Sequence, residues 1–223
     1  MIILVLAEDV LSETRRKSVS ESYVRGKLEY FFAYYGILAP DLEDVTVDLY
    51  NCNKQLYWHC FRVAYSLKDI FYLGDRLVNN RILIKSSMLH NIGSLNESQN
   101  NGTRHYKINQ YQSFRKLHEN TIEIIDGIYL FDKEKILKVM KIFQEQLFFG
   151  LEDYMDDAAI NLTKIDDKEI KNLCACLLLA DYLDFQGVKS RRELKERYQC
   201  LNKIFPEYSH LLTALLHNSY YRK

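Results

Sequence analysis

A chain of 223 residues with 48% apolar side chains can bury the core of one domain, with length left for an added helical subdomain. Its 30 basic and 30 acidic residues cancel, which excludes the broad basic field that advertises nucleic-acid or anionic-membrane binding. Five cysteines without a CxxC pair exclude a disulfide scaffold and point to reduced thiols in a soluble, cytoplasmic protein.

The opening "MIILVLAEDV" is a short apolar run followed by two acids. It lacks the basic leader and small-residue cleavage site of a signal peptide. No run in the chain approaches the ~20 apolar residues of a membrane-spanning helix. Two prolines and eight glycines leave long stretches free for helices, and apolar residues recur at spacings of three and four almost throughout. The first helix is expected over 13–37, where "YFFAYYGIL" (30–38) reads as core, with a contact surface as the alternative. "DVTVDLYN" (44–51) alternates briefly and is the chain's only hint of a strand. In "LYWHCFRVAYSLKDIFYLG", Leu56, Cys60, Val63, Leu67, Ile70 and Phe71 share one helical face, with Gly74 as the stop. "RILIKSSMLHNIG" repeats that pattern through Ile82, Leu83, Ser86, Leu89 and Gly93.

The polar stretch 91–112 reads as a loop. Helices are then expected over 110–126, 132–149, 166–185, 190–204 and 207–219. Asp132 is the best N-cap among them. The acidic stretch 152–167 reads as a solvated loop, and Cys174 and Cys176 as small buried apolar residues. The fold class is therefore all-α, a helical bundle. Residues 1–54 form an N-terminal helical segment, a subdomain or dimerisation element in a homo-oligomer, and residues 55–223 form the main helical domain.

Chemistry concentrates on a few positions. His59 opens the inner face of one expected helix, His90 ends the next, and His118 lies early in the helix after the polar loop. Asp181 and Asp184 stand among leucines in "LCACLLLADYLDF", three residues apart on one helical face. A carboxylate in such surroundings needs a cation, a donor network or a metal. Imidazoles from several helices converging on a carboxylate is how a helical bundle builds a metal cage.

The order of these residues resembles the HD phosphohydrolase superfamily, and within it the C-terminal HD-like domain of the exopolyphosphatase/guanosine pentaphosphatase (Ppx/GppA) family. "HCFRVAYSLKDIF" (59–71) is similar to the family's H-x-x-x-V-A-x-x-L-x-x-x-F motif, and "SSMLHNIG" (86–93) to A-x-L-H-D-I-G. "LHENTIEII" (117–125) and "LLLADYLDF" (177–185) are similar to the later H-H-K-H-S-x-x-L-I and L-R-L-A-D-A-L-D segments. The likeness spans roughly 55–195. Several positions depart from it: Asn91 replaces the paired aspartate, Leu117 and Asn120 replace two histidines, and Gln144 stands near the place of the family's tyrosine-histidine pair. The Gly-rich phosphate loops of the family's other domains are absent from the chain.

What the resemblance implies is an HD-domain-like bundle with a degenerate metal site. His59, His90, His118 and Asp181 would hold a divalent ion (Mn, Mg, Fe or Zn), with Asn91 as a neutral substitute ligand. The ligand would carry phosphate, as a nucleotide or polyphosphate does, with Lys189, Arg191 and Arg192 as basic contacts. Three functions compete. One is a binding or regulatory HD-like domain, another a metal-dependent phosphohydrolase, and the third a helical interaction scaffold. Convergence of His59, His90 and Asp181 speaks for the first two, separation for the third.

Overall fold

The computed structural model describes residues 20–73, 76–95, 110–146, 162–184 and 191–218, which form an all-α bundle. The helices among the described residues are α1 (Glu21–Tyr34), α2 (Pro40–Cys52), α3 (Lys54–Leu67), α4 (Asn80–Leu89), α5 (Gln110–Gly127), α6 (Lys133–Gln146), α7 (Lys168–Asp184), α8 (Arg191–Ile204) and α9 (Ser209–Asn218). A 3₁₀ turn, Pro206–Tyr208, precedes α9. Between α3 and α4, β1 (Tyr72–Leu73) pairs antiparallel with β2 (Arg76–Leu77). No helix among the described residues is long and apolar enough to cross a membrane.

Local chemistry sets the helix ends. The side chain of Ser20 caps α1 by accepting from the Tyr23 N–H at 3.4 Å. Asn53 and Asn79 do the same for α3 and α4, and Asp167 caps α7 through the Glu169 and Ile170 N–H groups. Asp132 precedes α6 as expected, and its carbonyl takes the first helical bond from Ile136 at 3.1 Å. Helix α1 stops at Tyr34 rather than 37. There Gly36, at φ 63°, lets its own N–H and that of Ile37 turn back to the Ala33 and Phe32 carbonyls. Residues 13–19 of the expected first helix, and 147–149 of the expected 132–149 helix, lie outside the described residues, as do 96–109 of the polar loop.

One ambiguous stretch is resolved and one expectation is corrected. The alternating stretch 44–51 is helical, inside α2, as the all-α reading has it: Leu42, Thr46, Val47, Leu49 and Tyr50 are its buried residues at helical spacing, and Pro40 occupies the first helical turn, where its missing N–H costs nothing. Helix α3 ends at Leu67, not at Gly74. Asn80 donates to the freed Lys68 carbonyl at 3.1 Å, and the aromatic run that follows enters the hairpin, with the Val78 N–H bonded to the Phe71 carbonyl. Ile70 stays buried, whereas Phe71 is half-exposed.

Helices α4 and α7 form the centre. Ile82–His90 and Leu173–Asp181 are buried without interruption, the mark of helices enclosed on every side. Helix α3 packs on both, α6 packs on both and on α5, and α2 and α9 flank α3. The helices before residue 55 share this core: the Phe31 and Phe61 rings meet at 5.3 Å, as do those of Tyr50 and Tyr57. The stretch 30–38 divides accordingly, with Phe31, Phe32 and Ile37 buried and Tyr30, Tyr34 and Leu38 exposed. Cys60, Cys174 and Cys176 are buried free thiols.

Candidate metal centre

Three core helices place their polar residues at one level. His59 lies on α3, and Arg62 follows one turn later on the same face. His90 is the C-cap of α4, and Asp181 and Asp184 occupy the last turn of α7. The chain leaving His90 is held by α5. The Gly93 N–H donates to Thr121 Oγ1 at 3.1 Å, and Asn120 donates to the Gly93 carbonyl at 3.3 Å. A Cβ on residue 93 would lie 2.2 Å from the Leu117 carbonyl oxygen, so only glycine admits so close an approach. The His90-Asn91-Ile92-Gly93 corner is thus a seat for α5 as well as the end of α4.

His59 Nε2, His90 Nε2 and Asp181 Oδ1 converge. Their separations are 3.1 Å between the two imidazoles, 2.8 Å from His59 to Asp181, and 3.3 Å from His90 to Asp181. Adjacent donors around an ion with bonds of about 2.1 Å lie about 3.0 Å apart, so the spacing fits a single divalent ion. The far side of each ring decides which lone pair faces inward. His59 Nδ1 meets Asp184 Oδ2 at 2.8 Å, and His90 Nδ1 meets the Ser87 carbonyl at 2.6 Å. Both partners can only accept, so Nδ1 carries the proton on each ring and donates it outward. With Nδ1 protonated, each Nε2 faces Asp181 Oδ1, and the Asp181 charge is met there either by protons on the Nε2 atoms or by one cation that replaces them and takes both Nε2 lone pairs and the carboxylate oxygen as donors.

Among the described residues His59, His90 and Asp181 are the group able to share a metal ion. Around them Asp184 accepts from Arg62 through Nε at 2.9 and 3.1 Å and through Nη2 at 2.9 Å. The Phe143 ring stands edge-on to His90 at 5.7 Å, and the Cys60 thiol lies against it. Without a cation the site gathers protons. Burial pushes the His59 pKa down, but hydrogen bonds to Asp181 and Asp184 and their charges overcome this and lift it to about 9. Burial likewise opposes charge on His90, yet the Cys60 and Asp181 partners raise it. Burial alone would raise Asp181; the hydrogen bonds from His59 and His90 hold it well below the usual carboxylate range.

The other expected site residues fall elsewhere. His118 is half-buried on α5 and is not one of the three converging donors. Asn91 is half-buried at the start of the turn, and its carbonyl accepts from the Ser94 N–H at 3.2 Å. Asn120 donates to the Gly93 carbonyl. Lys189 and the Arg191 side chain lie outside the described residues. Arg192 is 89% exposed and pairs with Glu196 one turn along α8 at 2.8 Å, the geometry of a surface ion pair. Sequence reasoning missed Arg62 and the Ser87 carbonyl. The signal for Arg62 was present, because His59–Arg62 and Asp181–Asp184 are both three-residue steps on facing helices.

Comparison of the chain with models of known protein families, with curated proteins and with solved structures gives no match in any of the three.

Proposed function

We propose that the protein is an HD-like helical domain that binds one divalent metal ion through His59, His90 and Asp181 and engages a phosphate-bearing ligand there. The observation that carries this reading is the convergence of two Nε2 atoms and one carboxylate oxygen, each ring oriented by an acceptor behind it. The order His59, His90, Asp181 along helices of the bundle supports the HD relationship, and that likeness supplies the phosphate class of ligand.

Three donors from the described residues leave coordination positions open among them, as catalytic and ligand-binding centres do and closed structural sites do not. An ion there would act as a Lewis acid toward a phosphoryl oxygen. His59 and His90 would each give it an Nε2 lone pair, and Asp181 would supply the negative charge. A second ion has poor support. Asn91 brings no charge, and Asp184 is engaged by Arg62 and His59.

Metal-dependent hydrolysis of a phosphate ester is the second reading, favoured by those same open positions. Protein reconstituted with Mn, Fe, Zn or Mg is titrated with inorganic phosphate and assayed on a panel of nucleotides and phosphate esters. Phosphate binding that requires the ion is expected, and turnover that disappears with His90→Ala would select the hydrolase. Neither binding nor turnover in metal-loaded protein would leave the bundle as an interaction scaffold.

A further inference from the structure

The metal reading concerns three donors, but the groups with most hydrogen bonds at the site stand behind them. Asp184 has its side chain only 9% exposed and accepts three contacts from Arg62, at 2.9, 3.1 and 2.9 Å, besides that of His59 Nδ1. For anchoring His59 alone, a neutral acceptor would serve, as the Ser87 carbonyl does for His90. A carboxylate at this position adds a full negative charge one imidazole away from the ion's place. The bidentate guanidinium then cancels that charge.

We propose that Arg62 and Asp184 are positioning residues that fix the net charge of the metal centre and so determine its preference for anionic ligands. The inference rests on the metal reading above. With neutral imidazoles, Asp181 and Asp184 contribute two negative charges and Arg62 one positive charge, so a divalent ion leaves the centre with one net positive charge. Deleting the Arg62 charge makes the loaded centre neutral, which strengthens metal binding and weakens an anion at the open positions. Deleting the Asp184 charge does the opposite. At these short ranges in a buried site, one unit charge is worth about tenfold or more in each affinity.

The test uses Co²⁺ as the metal probe and inorganic phosphate as the anion, in the full chain. Metal affinity is measured by calorimetry, and phosphate is titrated at saturating metal by following the visible absorption of Co²⁺. Arg62→Gln should bind Co²⁺ as tightly as the wild type or tighter, while its phosphate affinity falls about tenfold. Asp184→Asn keeps an acceptor for His59; its metal affinity should fall about 10–100-fold while its phosphate affinity rises. The double variant restores the wild-type charge sum and should restore phosphate affinity. Arg62→Lys should do so too, which keeps the test open if Arg62→Gln fails to fold.

A purely structural role makes both affinities fall together in each single variant, and that result would overturn the proposal. Wild-type protein that takes up no Co²⁺ would instead refute the metal reading itself.

Discussion

Asp181 is the residue on which the site turns. It is 7% exposed and stands between two imidazoles, whose protons or whose shared cation must balance its charge. In metal-free protein that balance depends on pH. His59, lifted from 6.5 to about 9, holds its proton more tightly folded than unfolded. Its contribution to stability is complete below pH 6.5 and fades as the pH rises through about 9. Melting temperature in chelator should therefore fall by about 5 °C or more across that window, and a divalent ion replacing the protons should remove the loss. A metal-free melting temperature that climbs over the same range would contradict this. His59, His90 and Asp181 were legible in the sequence because polar groups in apolar helical runs demand an explanation. Their outer partners were less so: a backbone carbonyl carries no residue signature, and Arg62 looks like any helix-surface arginine until the facing helix is known.

At the scale of elements, the packing of α5 on the His90 turn is the tightest constraint near the site. Gly93→Ala would drive a methyl toward the Leu117 carbonyl oxygen and the Thr121 N and Oγ1, at 2.2, 2.7 and 2.6 Å. Backbone cannot yield as a flexible side chain does, so a loss of about 2–3 kcal/mol is expected in urea unfolding, with metal affinity reduced alongside it. A variant as stable as the wild type would show that α5 is not seated there. Element type was legible wherever helical periodicity ran long, as in α5, α6 and α7. It failed at short range. Val45, Val47 and Leu49 alternate like a strand, yet Val45 is only half-buried while Leu42, Thr46, Val47, Leu49 and Tyr50 turn inward together at helical spacing. The run after Leu67 kept an apolar face, but Ile70 is buried by the turn itself and Phe71 faces outward. A hairpin two residues deep leaves too little pattern to read.

For the molecule as a whole, the cysteines report whether the core closes as described. Cys52 and Cys200 are exposed, while Cys60, Cys174 and Cys176 are buried, the last two with thiol pKa values pushed by burial up to about 12. A thiol reagent should label two cysteines in the native protein and all five once it is unfolded. Fast labelling of Cys174 or Cys176 in native protein would mean that α7 is not enclosed. That enclosure gives the site its chemistry, because it dries the end of α7 and forces its two aspartates onto cations. The central claim is that this buried end holds one divalent ion. Equilibrium dialysis against Zn²⁺ or Mn²⁺ at neutral pH, followed by metal analysis, tests it most directly. One ion per wild-type chain is expected, and less than a tenth of that in His90→Ala and Asp181→Asn variants shown by circular dichroism to be folded, about the loss expected when one of three ligands is removed. Wild-type protein that emerges without metal, or variants that retain a full equivalent, would contradict it.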